Sequence, residues 1–262
     1  MRLMTLASGS SGNSSLVEID GLHILIDCGI GAKKIVHALQ YFGVSPYNID
    51  AIILTHEHND HVRGVDVFAR RYSVPVYLSM KLYTSSKRLY FTEHSEISIR
   101  PFFTESPFHI GNVQILPFSV PHDVIDPVGF RIEGEGVSIG YATDIGHLTP
   151  DLFEYCSGVE YLVIEANHDV EMLDKGPYPD HLKRRIIGEL GHLSNADTKI
   201  ALDRLYHPKL RHVVLVHLSK INNSPEKALE AMGDLRYDLM IDTAPRFEPV
   251  DWTIGEVNHR TF

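Results

Sequence analysis

Short apolar runs separated by turn residues dominate the first third of the chain, and this pattern predicts β-strands joined by tight turns. Strands are expected at Arg2–Ala7, Ser15–Ile19, Leu22–Ile26, Asp50–Leu54 and Pro75–Leu78. Two further segments differ, because their apolar residues recur at helical spacing. Helices are therefore expected at Lys33–Phe42, which Gly43 ends, and at Val62–Arg71.

The middle of the chain is rich in strands, and strands then alternate with helices towards its end. Strands are expected at Val113–Val120, Val128–Ile132, Val137–Tyr141, Tyr161–Ile164 and His212–Val216. The last two are continuous apolar runs, which is typical of strands buried on both faces. Helices are expected at Pro179–Leu190, Asn195–Tyr206 and Pro225–Leu235. This order predicts a layered α/β domain with a mixed sheet.

The composition is that of an ordinary globular protein, with 44% hydrophobic and 22% charged residues. No run approaches the ~20 apolar residues of a membrane span, and the first residues lack the apolar segment of a signal peptide. No linker-like tract divides the chain, so residues 1–262 are expected to form a single domain. Cys28 and Cys156 give no disulfide framework, which suits a reducing environment and predicts a cytoplasmic location without a membrane partner.

The net charge and the histidine content limit the kinds of function that the sequence supports. The net charge of −10 argues against a broadly basic nucleic-acid binder. It does not exclude a nuclease, because bound divalent cations would reverse the charge at the site itself. Histidine is frequent, at 16 of 262 residues, and this excess favours a metal site.

The segment Thr55–His61 carries the strongest chemical signal in the chain. It follows a buried strand, so His56 and His58 lie on extended backbone and point the same way. Asp60 and His61 come where the chain turns into a helix and can face a second metal position. Side chains of this kind converge only where a cation compensates the cost of removing them from water. The segment therefore predicts a metal site rather than a polar loop with coincidental histidines.

The pattern His56-x-His58-x-Asp60-His61 resembles the signature of the metallo-β-lactamase superfamily, and the family's other elements follow in order along nearly the whole chain. The matching residues are Asp27 at an early strand end, His122 after Pro121, Asp144 before Ile145-Gly146, and His217 at the end of an apolar strand. The resemblance implies a four-layer αββα sandwich, in which two mixed β-sheets lie between helices.

The same resemblance implies two divalent metal ions, with Zn²⁺ or Mn²⁺ favoured and Fe²⁺ as a further option. It assigns one ion to His56, His58 and His122, the other to Asp60, His61 and His217, and a shared position to Asp144. Asp27 would support the site from beneath, although a strand-end aspartate is also an ordinary turn residue. Two ions that share a carboxylate suit phosphodiester hydrolysis by an activated hydroxide, which Asp60 would orient or deprotonate.

A second polar series lies in the last third of the chain. It consists of Glu165-Ala166-Asn167-His168-Asp169, Gly191-His192-Leu193-Ser194-Asn195 and His217-Leu218-Ser219. RNase Z-type nucleases show a similar arrangement, in which a glutamate pairs with a histidine that protonates the leaving oxygen, but here Leu193 interrupts the histidine motif. The series more fully resembles the YycJ/WalJ/VicX group, as does the Ser-Gly-Ser-Ser-Gly-Asn start. That group is associated with 5′→3′ exonuclease activity on DNA. The RNase Z-like pair implies catalytic roles for Glu165 and His192, although His192 also fits a purely structural position between helices.

The remaining candidates would contact substrate, and each has a structural alternative. They are Asn13, His168, Ser194, Ser219 and Lys183. The loop that holds Asn13 also fits a hairpin turn that needs glycine, and Ser194 or Asn195 also fits the cap of the next helix. His168 is equally compatible with a structural role. Lys183, next to Arg184 and Arg185, also fits a solvated helix face.

The leading hypothesis is a metal-dependent phosphodiesterase, specifically a 5′→3′ DNA exonuclease for which RNA is a further substrate class. A small-molecule hydrolase that cleaves a thioester, lactone or cyclic phosphodiester is the alternative. The acidic charge favours the alternative, as does the lack of a segment resembling the nucleic-acid-binding insertions of larger nucleases. A metal-binding regulatory protein without turnover is a third hypothesis, which the complete set of predicted ligands disfavours.

Overall fold

The computed structural model describes residues 1–85, 89, 96–233 and 239–253. The strands are β1 (Arg2–Ala7), β2 (Ser14–Ile19), β3 (Leu22–Ile26), β4 (Ala51–Ile53), β5 (Val76–Ser79), β6 (Ile99–Phe102), β7 (Phe108–Ile110), β8 (Val113–Ser119), β9 (Val128–Gly134), β10 (Val137–Ala142), β11 (Tyr161–Glu165), β12 (His212–Val216), β13 (Met240–Thr243) and β14 (Val250–Asp251). The helices are α1 (Ala32–Tyr41), α2 (Asn59–Val62), α3 (Val65–Tyr72), α4 (Met80–Thr84), α5 (Pro150–Cys156), α6 (Val170–Lys175), α7 (Asp180–Ile186), α8 (Asn195–Leu205) and α9 (Pro225–Met232).

These strands form two mixed sheets, each with seven strands among the described residues. The first has the order β14-β1-β2-β3-β4-β5-β6, and the second has the order β13-β12-β11-β10-β9-β8-β7. In the first sheet β3 to β6 run parallel, and in the second β10 to β13 do. Parallel strands end at the same edge of their sheet, so each sheet presents one edge at which a site can form.

The alternation of side chains along the central strands explains the layers. Ile24 and Ile26 of β3 lie in the apolar cluster between the two sheets, whereas Leu25 packs with the helices outside the first sheet. Likewise Val163 of β11 faces between the sheets and Leu162 faces outward. Helices α1 and α3 cover the first sheet and α5, α8 and α9 cover the second. The predicted four-layer αββα sandwich is thereby confirmed.

Some predicted boundaries were wrong. The helix expected at Val62–Arg71 is divided into α2 and α3, with Gly64 at the break, where a Cβ would lie 2.2 Å from the Ile30 carbonyl oxygen. The helix expected at Pro179–Leu190 ends at Ile186, because the chain then folds back and His192 N donates to the Ile186 carbonyl.

The helix expected at Pro225–Leu235 ends at Met232, and Leu235 lies outside the described residues. The pattern did not indicate α4, α5, α6, β13 or β14, which have only two to seven residues each. Among the helices that the structure describes, none has the length and apolar character to cross a membrane.

Candidate metal centre

The histidine-rich segment leaves the first sheet after β4 and enters α2. His56 and His58 lie between these elements, and His122 approaches them from the loop after β8 in the second sheet. Nε2 of His56 is 3.2 Å from Nδ1 of His58, and Nε2 of His122 is 3.3 Å from the same atom. Three ring nitrogens from two sheets therefore converge in a first cluster.

A second cluster forms from the first turn of α2 and the end of β12. Oδ2 of Asp60 lies 3.7 Å from Nε2 of His61 and 3.6 Å from Nε2 of His217. Asp144, which follows β10, lies between the clusters: its Oδ2 is 3.2 Å from Nε2 of His61, and its Oδ1 is 3.8 Å from Nε2 of His122. The fold thus brings all of the predicted metal ligands close to one another. Of the four groups with ligand-like spacing among the described residues, two are those that the resemblance implies, namely His56, His58 and His122, and Asp60, His61 and His217.

Three residues of this region share an uncommon backbone conformation. Asp27, Asp144 and His217 follow the ends of β3, β10 and β12, and their φ angles are 60°, 56° and 57°. These values lie in the left-handed region, where the chain departs sharply from the direction of a strand. Each side chain is consequently presented at the edge where the parallel strands end.

Asp27 is fully buried and organises the first sheet's part of the centre. Its carboxylate accepts hydrogen bonds from His61 Nδ1 at 2.7 Å, Thr55 Oγ1 at 2.8 Å and Thr55 N at 2.9 Å. Thr55 Oγ1 in turn accepts from Nδ1 of His56 at 3.0 Å. Both histidines are therefore held by Nδ1, so Nε2 of each ring is the nitrogen that points into the ligand clusters.

The second sheet holds its histidines in the same way. Nδ1 of His122 donates to the Gly191 carbonyl at 3.1 Å, and Nδ1 of His217 donates to the Glu165 carboxylate at 2.9 Å. Nε2 of His217 is buried and forms no hydrogen bond within the described residues. A buried, unpaired nitrogen is costly unless something else binds it. Imidazole nitrogens with free lone pairs beside carboxylates fit divalent cations such as Zn²⁺ or Mn²⁺.

Mutual charge effects keep the carboxylate at the middle of the centre ionised. Burial by itself raises the pKa of Asp144, but His217 and His61 outweigh it and hold this pKa well below its usual range. Burial lowers the pKa of His61, yet Asp144 and Asp27 raise it to about 10. The pKa of His56 is well below its usual range because of burial and the neighbouring His61. Burial lowers the pKa of His217 too, but Asp144 raises it well above its usual range. A metal ion that binds here would therefore meet an ionised Asp144 and a neutral His56, and it would displace the protons that the carboxylates hold on His61 and His217.

Glu165, the last residue of β11, connects the two clusters of ligand side chains with the second polar series. Its Oε1 accepts from His192 Nδ1 at 2.8 Å and from His217 Nδ1 at 2.9 Å. Its Oε2 accepts from Ile145 N at 2.8 Å and from Leu193 N at 3.2 Å. Burial raises the pKa of Glu165, but His192 outweighs this effect and the pKa is about 2. The structure therefore forms the predicted Glu165–His192 pair beside the metal clusters.

Among the predicted substrate-binding residues, Asn13 contacts the centre, and Ser219 and His168 follow His217 and Glu165 closely in the sequence. Nδ2 of Asn13 lies 3.0 Å from Nε2 of His61. Ser219, two residues beyond His217, accepts a hydrogen bond through Oγ from Asn222 N at 3.2 Å. His168 is buried, and its Nδ1 forms no hydrogen bond among the described residues. Their contact with substrate stays a prediction.

The other two form contacts of a structural kind. Ser194 caps α8, since its Oγ accepts from Asp197 N at 3.1 Å and donates to the Asp197 carboxylate at 2.6 Å. Lys183 donates to the Asp174 carbonyl. On the same helix, Arg185 pairs at 2.8 Å with Asp123, whose Oδ1 is 3.7 Å from Nε2 of His58. Substrate contact by Ser194 and Lys183 also stays a prediction.

Sequence reasoning missed several residues that hold the ligands. Ser8 Oγ accepts from His217 N at 2.8 Å, and Asn167 Nδ2 donates to the His217 carbonyl at 2.9 Å. The position of Thr55 directly before the histidine motif could have indicated that it holds the neighbouring His56. Ser8 and His217 are 209 residues apart, and no pattern in the sequence indicates that contact.

Comparisons of the sequence and the structure with known proteins agree with the fold and the ligand clusters described above. The family model described as "Beta-lactamase superfamily domain" matches residues 23–218. The chain is 38% identical to the exodeoxyribonuclease WalJ of Streptococcus pneumoniae over 226 residues, which cover 85% of this chain and 83% of the relative. It is 31% identical to the exodeoxyribonuclease YycJ of Bacillus anthracis over 254 residues, or 95% of this chain and 94% of the relative. Zn²⁺-bound PqqB from Methylobacterium extorquens has the same fold, with a TM-score of 0.73 at 17% identity over 95% of this chain and 99% of that one.

Proposed function

Because the chain belongs to the metallo-β-lactamase superfamily and to the group of the WalJ and YycJ exodeoxyribonucleases, we propose that it is a metal-dependent exonuclease that digests DNA from the 5′ end. The identity to both relatives extends over most of each chain, which supports a shared reaction. The observation that carries the proposal is the Glu165–His192 pair beside the two ligand clusters. A hydrolase of phosphodiesters can combine metal ions as an electrophilic centre with a side chain that protonates the departing oxygen.

The proposed ligands form two sets. One ion would be held by His56, His58 and His122, the other by Asp60, His61 and His217, with Asp144 shared between them. The first set would bind through Nε2, Nδ1 and Nε2, since those are the atoms that face one another. Two divalent ions, Zn²⁺ or Mn²⁺, would supply positive charge to the phosphate and lower the pKa of water at the site.

His192 is the proposed proton donor to the leaving oxygen. Its Nδ1 is fixed by Glu165, so Nε2 is the nitrogen left to meet substrate. Glu165 is ionised, and its carboxylate holds the His192 ring in one orientation. Asp60 is the proposed residue that orients the attacking water. Burial raises the pKa of Asp60, but the neighbouring His217 and His61 outweigh burial and lower it overall, so its carboxylate accepts hydrogen bonds.

Metal-reconstituted protein tests this proposal directly. We expect it to shorten DNA labelled at the 3′ end stepwise and to release mononucleotides from the 5′ end, with RNA and bis(p-nitrophenyl) phosphate assayed in parallel. Turnover of the small phosphodiester with both nucleic acids left intact would contradict the nuclease and favour the small-molecule hydrolase.

Variants separate the proposed roles. We expect Asp144→Ala and His58→Ala to lose metal and activity together. His192→Gln should keep its metal, measured by elemental analysis, and lose about 10²–10⁴-fold in kcat. A fully active Asp144→Ala protein would contradict the metal mechanism, and a fully active His192→Gln protein would remove the proton donor from it.

A further inference from the structure

The side chains of the candidate metal centre differ in their exposure to solvent. Those of His61 and Asp144 are at most 3% exposed, so a substrate cannot reach the clusters across them. Four others are between 16% and 32% exposed, and we call them the mouth of the centre. They are His58, Asp60, Asp123 and His192.

Two of the mouth side chains are carboxylates, so an approaching phosphate meets negative charge there. Burial raises the pKa of Asp60 and of Asp123, but His217 beside the first and Arg185 beside the second outweigh burial and lower both pKa values. Among the ion pairs of the described residues, only that of Arg185 with Asp123 brings an arginine or lysine to the mouth. Arg185 is therefore the cation that offsets this negative charge.

The guanidinium of Arg185 lies one carboxylate away from the first ligand cluster. Its Nε donates to Asp123 Oδ2 at 2.8 Å. The other oxygen of Asp123, Oδ1, lies 3.5 Å from Nε2 of His122 and 3.7 Å from Nε2 of His58. Asp123 raises the pKa of Arg185 against the effect of burial, and Asp60 adds to the rise. The guanidinium is thus charged and lies in the field of both mouth carboxylates.

The backbone that carries Arg185 is attached to the centre by a tight turn after α7. The Ile186 carbonyl accepts from His192 N at 2.9 Å, and the Gly191 carbonyl accepts from His122 Nδ1 at 3.1 Å. A Cβ on Gly191 would lie 2.1 Å from the Ile186 carbonyl oxygen, so this turn closes without room for a side chain. The end of α7, and Arg185 with it, is therefore fixed beside His192.

Most donors of the Arg185 guanidinium remain available to a ligand. Within the described part of the chain, Nε is the one atom of this side chain that donates a hydrogen bond, and the side chain is 53% exposed. Arg2 differs, because its Nε, Nη1 and Nη2 all donate to Glu18 or Asp251. The two Nη atoms of Arg185 form a planar fork of N–H groups, which matches two oxygens of one phosphate.

We propose that Arg185 binds the phosphate group that is cleaved. Its two Nη atoms donate to phosphate oxygens, while Asp123 holds Nε and so fixes the plane of the guanidinium. The contact gives the site a preference for phosphate esters over neutral thioesters and lactones, because these present no pair of anionic oxygens to the fork. This inference rests on the proposed phosphodiesterase function and assigns its substrate class to one further residue.

Two variants of Arg185 test the inference in the metal-reconstituted protein, with DNA and with bis(p-nitrophenyl) phosphate, which contains a single phosphate. We expect Arg185→Gln to lower kcat/KM about 10–100-fold with both substrates, as for hydrogen bonds lost to a charged group. Arg185→Lys keeps the charge but not the fork, and it should recover only part of this loss. In calorimetric titrations, Arg185→Gln should weaken the binding of thymidine 5′-monophosphate by a similar factor.

Arg184→Gln is the matched control, since it removes the same charge from the neighbouring exposed position of α7. Successive helical side chains point about 100° apart, so Arg184 faces a different direction. We expect the control to keep kcat/KM on the small diester within about twofold of the wild type. Equal losses in the two variants would overturn the inference, because they would indicate a general effect of charge. A loss with DNA alone would also overturn it, because Arg185 would then contact a different phosphate.

The double variant Arg185→Gln/Asp123→Asn distinguishes contact with phosphate from a restraint on Asp123. We expect it to remain at least about tenfold impaired, and elemental analysis should show that Arg185→Gln retains its metal. Recovery of kcat/KM in the double variant, or loss of metal from Arg185→Gln, would overturn the inference, because Arg185 would then act through the ligands. Wild-type protein that hydrolyses neither substrate contradicts the proposed function instead, and the binding of thymidine 5′-monophosphate then still decides whether Arg185 holds phosphate.

Discussion

At the scale of single residues, the centre combines strained backbone with close backbone contacts. The left-handed conformations of Asp27, Asp144 and His217 each cost on the order of 1 kcal/mol relative to ordinary backbone. Aspartate and histidine tolerate this region better than most residues do. The cost is offset by buried hydrogen bonds such as those that Asp27 accepts from His61 and Thr55.

Gly29 is the residue at which the smallest change should have the largest effect. A Cβ at this position would lie 1.6 Å from the Asp60 carbonyl oxygen and 2.6 Å from Asn13 N. We expect Gly29→Ala to lower the free energy of unfolding by about 3 kcal/mol. It should also weaken metal binding, because α2 and its ligands must move. Urea unfolding and elemental analysis measure the two effects.

Gly31→Ala is the control for this prediction, because a Cβ there meets nothing within 4 Å. It should unfold within about 0.5 kcal/mol of the wild type. Equal stability of the two variants would show that the contact between the residue-29 loop and α2 is not rigid.

The role of a residue could be predicted from the sequence when its partners lie close to it along the chain. His56, His58, Asp60 and His61 lie in one short motif after a strand, so the residues themselves indicated a metal site. Grouping them with His122, Asp144 and His217 needed the resemblance to a known family. Contacts such as Ser8 with His217 depend on tertiary packing and left no signal in the sequence.

At the scale of elements, the centre is built from strand ends and helix beginnings. Glu165 ends β11, Asp60 lies in the first turn of α2, and Ser194 is the cap of α8. The cap positions the turn that contains His192, because only Leu193 lies between His192 and the capping residue Ser194. Leu193 N also donates to the Glu165 carboxylate. A cap can therefore influence catalysis without touching substrate.

Variants of Ser194 distinguish a role as helix cap from direct contact with substrate. We expect Ser194→Ala to lower the free energy of unfolding by about 1 kcal/mol, because α8 loses its capping hydrogen bonds. Ser194→Asp keeps a capping oxygen and should restore stability. If Ser194 acts only as a cap, Ser194→Asp also restores kcat/KM on DNA. A kcat/KM that stays low in a stable Ser194→Asp protein would instead support the predicted substrate contact.

Long periodic elements were predictable and short ones were not. The apolar period of residues 33–42 identified α1 within one residue at each end. The division between α2 and α3 arises at Gly64 from a contact with Ile30, a tertiary cause that periodicity does not contain. Elements such as α6 and β14 are too short to display a period and depend on their neighbours.

At the scale of the whole molecule, the proposed metal ions join the two sheets. The first sheet provides His56, His58, Asp60 and His61, and the second provides His122, Asp144 and His217. Ions held in this way stabilise only the folded chain, since the unfolded chain has no preformed site.

Removal of metal should therefore lower the stability of the entire fold. At a free metal concentration a thousand times the Kd, binding contributes about 4 kcal/mol, and chelation should lower Tm accordingly. Asp144→Ala should unfold at nearly the same temperature with and without chelator. We also propose that the chain is a single domain, which requires one cooperative calorimetric transition. An unchanged Tm on chelation would mean that the ions do not connect the sheets.

The order of the proposed ligands along the chain also matters during synthesis. His217 is the last of them, and it becomes part of the centre only when β12 has paired with β11. A nascent chain still attached to the ribosome before this point exposes the histidine motif but cannot complete the second metal position. Loading of the full proposed centre is thus confined to the final stage of translation or to the released chain.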